Sequence, residues 1–111
     1  MHIEQRSVGD VTIIDLRGKL AAPEGDELLR DKVRSLVQQG VKKIIINLAD
    51  VPYVDSSGLG GMVGTYTTVT REGGRLVLLK LTKRLIDLLV ITKLSQVFEV
   101  YDDEKEALGS F

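Results

Sequence analysis

Three neighbouring residues could carry chemistry. Asp55, Ser56 and Ser57 stand in a row inside VDSSGLGG, Val54 to Gly61, and Gly58, Gly60 and Gly61 follow at once. A hydroxyl beside a carboxylate at the head of a glycine-rich segment can do three things. It can cap a helix, because a serine oxygen accepts from the unpaired N–H groups of the first turn. It can attack an electrophile, if a base takes its proton. It can accept a phosphate from another enzyme, which adds a charge of about −1.5 to −2 and three strong acceptor oxygens. On a chain with a formal charge of −1, that last change is large.

The nucleophile lacks a base. His2 is the only histidine and lies near the start. DSSGL is not the G-x-S-x-G elbow of serine hydrolases. Lys19 and Lys80 could serve in principle, but no pattern selects them. On the residues alone, capping and phosphate acceptance both stay open.

Other chemistries have less support. The chain has no cysteine, so a disulfide framework or a thiolate metal site is excluded. One histidine excludes a histidine-based triad or zinc cluster within the chain. GLGGMVG departs from the G-x-G-x-x-G dinucleotide pattern, since Val63 stands at its last position, and REGGRLVLLK lacks the phosphate-loop lysine. Asp50 and Asp55 could flank a cation, but two carboxylates are a weak metal signal. Fifteen basic residues face sixteen acidic ones, and the pairs Lys42-Lys43 and Lys83-Arg84 are short, so nucleic-acid binding is not expected. No apolar run approaches the ~18 residues of a membrane span. A soluble, cytoplasmic protein without cofactor or metal is expected.

The elements that must position the serines follow from periodicity. The 111 residues, 43% hydrophobic, suit one domain over 1–111. HIEQRSV and VTIIDLR read as a strand pair turning at Gly9-Asp10, with the polar first strand at an edge. AAPEGDELLRDKVRSLVQQG reads as a helix with Pro23 in its first turn, a stripe of Leu28, Leu29, Val33, Leu36 and Val37, and Gly40 at its end. KKIIINL is a central strand, ended by Pro52. A second helix begins near Ser56 or Ser57. Its four glycines, each costing about 1 kcal/mol against alanine, need an offsetting gain. Either the helix backbone packs closely on the sheet, or it is kept bare for a partner. RLVLLKL is a buried strand, and Thr82 caps a third helix whose Leu85, Ile86, Leu89 and Val90 face inward. VFEVY is a last strand, and Asp103 with Glu106 opens a terminal helix. The order β-β-α-β-α-β-α-β-α gives an α/β fold with a mixed, mostly parallel sheet.

INLADVPYVDSSGLGGMVG, Ile46 to Gly64, closely resembles the signature of the STAS domain, as found in bacterial anti-sigma factor antagonists. The resemblance extends through IDLRGKL, GGRLVLLKL and DLLVITKLSQVFEVYDDEKEAL, and so covers nearly the whole chain. It implies a STAS-like fold with an antiparallel N-terminal edge strand, and a binding protein rather than an enzyme. A serine kinase that is also an anti-sigma factor would phosphorylate the serine opening the second helix, which the match places at Ser56. The unphosphorylated form would hold the kinase and free the sigma factor, and a PP2C-type phosphatase would reset the system. The partner surface would comprise Asp55, Ser57, Gly58, Leu59 and Met62 with the loop Lys19, Leu20 and Ala21 to Pro23. Ser57 would be a helix cap or secondary contact.

Two positions depart from the familiar pattern. Lys19 and Ala21 replace an acidic pair in the loop, which leaves a signalling module of a non-sigma partner-switching pathway as the alternative. Lys93 stands where a glycine is usual, and a left-handed backbone there costs a lysine about 1 kcal/mol. A homodimer stays open, because a stripe that buries a core looks the same as one that pairs subunits.

Overall fold

A computed structural model describes all 111 residues. Strands β1 (His2–Val8) and β2 (Val11–Arg17) form an antiparallel hairpin. They are followed by α1 (Gly25–Gln38), β3 (Lys43–Asp50), α2 (Ser56–Arg71), β4 (Arg75–Leu79), α3 (Lys83–Ile91), a 3-10 turn at Leu94–Gln96, β5 (Glu99–Tyr101) and α4 (Glu104–Gly109). The five strands lie side by side in chain order, and every pairing after the hairpin is parallel.

Strands β2, β3 and β4 are covered on both faces, which is why their sequences are nearly unbroken apolar runs. Alternate side chains divide between two layers. Ile14, Ile44, Ile46, Leu76 and Leu78 pack beneath α1, α2 and α3. Ile13, Ile45, Val77 and Leu79 face Ala107 of α4 on the other side. The edge strand β1 is almost wholly exposed, as its polarity predicts. Arg6 ties it down, pairing with Asp15 of β2 at 2.6 Å and with Glu104 of α4.

Three local expectations change. The first helix starts at Gly25, with Glu24 before it, so Pro23 lies outside its first turn. A Cβ on Gly25 would lie 2.8 Å from the Lys19 carbonyl oxygen, so the loop after β2 approaches the helix start closely. Leu28 is exposed, while Leu29, Val33 and Leu36 are buried. In α3, Leu85 and Leu89 are buried, but Ile86 and Val90 are 42% and 57% exposed. That helix is apolar nearly all round, so periodicity alone could not choose its inner face. Thr82 does cap it, its Oγ1 accepting from Leu85 N–H at 3.3 Å, and Asp103 caps α4 in the same way at 3.0 Å. Lys93 does adopt the costly left-handed conformation, at φ 62°, and Lys80 is left-handed as well at φ 57°. No helix is long and apolar enough to cross a membrane.

Candidate functional site

The loop after β2 runs alongside the connection after β3, and this brings the two predicted parts of the site together. Leu20 bridges Val54 in parallel. Leu20 N–H donates to the Tyr53 carbonyl at 2.9 Å, and Asp55 N–H donates to the Leu20 carbonyl at 3.3 Å. The sheet is thus extended by one rung beyond β2 and β3, and it delivers residues 19–22 to the head of α2.

Asp55, rather than either serine, caps α2. Its Oδ1 accepts from Gly58 N–H at 2.7 Å, and its Oδ2 accepts from Ala22 N–H at 3.0 Å. One carboxylate therefore both closes the helix and holds the loop. The N–H donors of Gly58, then Ala22 and Ser57, keep the Asp55 carboxyl below its ordinary range, so it is ionised at neutral pH. Ser56 is the first helical residue and is exposed, and its hydroxyl takes no part in the cap. Ser57 is half-buried and is not the cap either.

The glycines of α2 are explained by close packing, though not against the sheet. A Cβ on Gly58 would lie 1.8 Å from the Leu20 carbonyl oxygen. One on Gly61 would lie 3.2 Å from Asp26 Cβ of α1, and one on Gly64 3.2 Å from Arg30 Nη1. The helix thus passes close to the loop and to α1. Only Gly60 has ordinary room, with Arg30 Nη2 at 3.6 Å. Threonines 67, 68 and 70 donate their hydroxyls to carbonyls one turn back, which satisfies the side chains without adding to the helix's stability.

The expected partner surface is therefore smaller than the sequence implied. Lys19 and Ser56 are exposed, and Asp55, Ser57, Leu59 and Ala21 are partly so. Met62 and Leu20 are fully buried and belong to the core, and Gly58 is covered by the loop. Met62 falls on the inner face because it lies at helical spacing with Thr65 and Val69, which are also buried, and both Met62 and Val69 pack into the core with the sheet. Sequence reasoning missed the cap: Asp55, Ser56 and Ser57 are all good capping residues, and only the tertiary contact with Ala22 singles out the first.

What is similar to this chain is consistent with that geometry. The family model of the STAS domain matches residues 2–107. An anti-sigma-B factor antagonist of Bacillus subtilis is 44% identical over 73 residues, a stretch that spans 66% of this chain and 66% of that relative. An anti-sigma-B factor antagonist of Staphylococcus epidermidis is 31% identical over 103 residues, covering 90% of this chain and 92% of the relative. A crystal structure of a Thermotoga maritima protein, classed as a candidate anti-sigma factor antagonist, superposes with a TM-score of 0.91 at 27% identity, over 97% of this chain and 92% of that one. With its sheet order, its loop-to-helix junction and a family match over nearly its full length, the chain belongs to the STAS domain family.

Proposed function

We propose that this protein is an anti-sigma factor antagonist, a phosphorylation-switched binding module built as one domain over residues 1–111, and that Ser56 is the residue modified. The observation that carries the reading is the division of labour at the head of α2. Asp55 does the capping, so the exposed Ser56 hydroxyl is left for a visiting enzyme. In the reaction the Ser56 oxygen forms a bond to the γ-phosphorus of ATP, the bond to ADP breaks, and the serine proton passes to a base of the kinase. The base must belong to the kinase, because no histidine lies near Ser56 in the sequence and its neighbour Asp55 is engaged by N–H donors. The protein itself is thus a substrate and ligand rather than an enzyme, and it would work in the cytoplasm, where ATP is present.

The unphosphorylated form would hold the kinase, which doubles as the anti-sigma factor, through Ser56, Leu59, Lys19 and Ala21. A phosphate on Ser56 would place about two negative charges beside the ionised Asp55 and at the centre of that contact. Release follows from repulsion and from the loss of the serine O–H donor. A PP2C-type phosphatase would restore the hydroxyl. The test is incubation with ATP and the cognate anti-sigma serine kinase, followed by mass spectrometry. Phosphate on Ser56, absent in Ser56→Ala and retained in Ser57→Ala, is the expected result. Phosphate solely at another residue refutes the assignment.

A second reading rests on the loop. Lys19 is exposed in the loop held at the head of α2 and Ala21 carries no charge, so the partner need not be the kind an acidic loop would select. The same switch would then serve a partner-switching pathway with no sigma factor. Release of a sigma factor from the kinase on adding the unphosphorylated protein decides between the two.

A further inference from the structure

A small polar hollow of about 130 Å³ opens between α1 and α2. Arg30 and Arg34 wall it on the α1 side, and Gly64, Thr65 and Thr68 on the α2 side. No apolar residue and no carboxylate lines it. The space admits a few waters or one tetrahedral oxyanion. It is smaller than the roughly 300 Å³ at which ordinary small-molecule sites begin.

The charge in this hollow is all of one sign and largely uncompensated. Arg30 enters none of the protein's ion pairs. Arg34 has one, with Asp31 at 3.2 Å, between side chains 60% and 72% exposed, and such a pair is weak. The two arginines stand four residues apart, so their like charges oppose each other. Asp26, four residues before Arg30, has the spacing of a helix ion pair. That pair does not form, and Asp26 Oδ1 is buried without a partner. Arg30 lies instead along the bare backbone of α2. A Cβ on Gly64 would be 3.2 Å from its Nη1, and one on Gly60 would be 3.6 Å from its Nη2. The Thr65 and Thr68 hydroxyls donate to the Met62 and Gly64 carbonyls at 2.8 and 2.9 Å. The side-chain donors left to the hollow are therefore the two guanidinium groups.

We propose that the hollow between Arg30, Arg34 and Gly64 is an anion site that takes a terminal phosphate. The guanidinium groups donate to the phosphate oxygens, a pairing their fork geometry favours, and the missing Cβ of Gly64 leaves room for the ion. Two positive charges match a phosphate better than a carboxylate, because a phosphate carries up to about two negative charges at neutral pH. The inference is independent of the reading of Ser56. That residue precedes Gly64 by eight positions, about 12 Å along the helix, so a phosphate on its own hydroxyl ends short of the hollow. The occupant is a separate ion or the phosphate end of a monoester, and it ties α1 to α2 when bound.

The experiment titrates the full chain with inorganic phosphate and, separately, with O-phosphoserine and AMP, at constant ionic strength set with sodium chloride. Amide NMR shifts and the thermal midpoint are read. Wild type is expected to show saturable shifts at Gly64 and Thr68, with Kd of about 1–10 mM. Bound ligand also raises the midpoint. Phosphate raises it by exclusion as well, so the comparison is with variants that share that effect. Arg30→Gln and Arg34→Gln remove the donors at exposed positions. Gly64→Ala fills the hollow without changing charge, and alanine favours a helix, so any loss of binding there is not a loss of fold. Each variant is expected to weaken phosphate binding about fivefold or more. Equal binding of all three ligands assigns a terminal phosphate from either source, and binding of inorganic phosphate alone narrows the site to the free ion. Shifts that do not saturate, or Kd unchanged in Arg34→Gln and Gly64→Ala, overturn the proposal. Acetate bound as tightly as phosphate overturns it too, by making the hollow a seat for carboxylates.

Discussion

Replacing Gly58 with alanine tests whether the glycines of α2 serve packing. The new Cβ would lie 1.8 Å from the Leu20 carbonyl oxygen and 2.7 Å from its carbon, both backbone atoms that cannot turn aside. Reaching an ordinary contact requires the loop to retreat by more than about 1 Å. That retreat strains two hydrogen bonds, from Leu20 N–H to Tyr53 at 2.9 Å and from Asp55 N–H to Leu20 at 3.3 Å. Each contributes about 1 kcal/mol net. Overpacking adds about 1–3 kcal/mol, and alanine returns about 1 kcal/mol of helix propensity. The expected loss is about 2–4 kcal/mol. Gly60→Ala is the control, because its Cβ meets only Arg30 Nη2 at 3.6 Å. It should gain about 0.5–1 kcal/mol. Urea unfolding reads both: at about 2 kcal/mol per molar, Gly58→Ala moves the midpoint down by about 1–2 M, and Gly60→Ala moves it slightly up. A Gly58→Ala protein as stable as the wild type would refute the packing argument and return the glycines to the role of a bare surface for a partner.

Other perturbations separate core from surface. Met62→Ala should cost about 2–5 kcal/mol in the same urea assay, because the side chain is fully buried; a neutral effect would restore Met62 to the partner surface. Lys93→Gly should raise stability by up to about 1 kcal/mol, read as a higher thermal midpoint, since the residue is left-handed at φ 62°. Hydrogen bonds from the Arg6 guanidinium hold the Asp15 and Glu104 carboxyls below their ordinary ranges. Depressed carboxylates stabilise the fold above the unfolded range near about pH 4, and that contribution is lost as pH falls through the folded values. Arg6→Ala should therefore lower stability at pH 7 by about 0.5–1 kcal/mol, a small figure because the pair is part-exposed, and the deficit should shrink towards pH 2. A deficit that persists at low pH would show that Arg6 acts by packing. Finally, phosphorylation of Ser56 should leave amide hydrogen exchange at Gly58 unchanged, and faster exchange there would show that the cap has opened.

The fold was legible because its central strands are extreme. IIINL and LVLL admit few places but the middle of a sheet covered on both sides, and Gly9 and Gly40 stand at turns with φ of 62° and 89°. Legibility failed where the sequence offers equivalent choices. In α3, six apolar residues crowd a nine-residue helix, and the inner pair Leu85 and Leu89 is set by the sheet below rather than by any period. At the head of α2, three capping residues in a row compete. The decision for Asp55 comes from Ala22, 33 positions away, whose N–H takes the second carboxylate oxygen. The hollow beside Arg30 joins residues 30 and 34 to residues 64, 65 and 68, and no local pattern announces such a meeting.

The choice of cap bears on how a phosphate at Ser56 would act. Had a serine closed the helix, its esterification would have removed the capping oxygen, and the switch would have worked by loosening the first turn. Asp55 holds that place instead, and its depressed pKa keeps it charged and bound to Gly58 at neutral pH. A phosphate on the next residue meets a helix start whose donors at Ser57 and Gly58 already serve a carboxylate. The helix dipole favours the new charge by about 1 kcal/mol at most in this exposed setting, while the adjacent aspartate opposes it. Little in the chain itself would draw the phosphate inward, so its charge would face whatever lies across from Ser56. The loop would stay in place through Ala22 and Leu20, and the core beneath through Met62 and Val69. On this reasoning the switch is a change in what an unaltered surface displays, and its force depends on how closely the partner must approach Ser56 to bind.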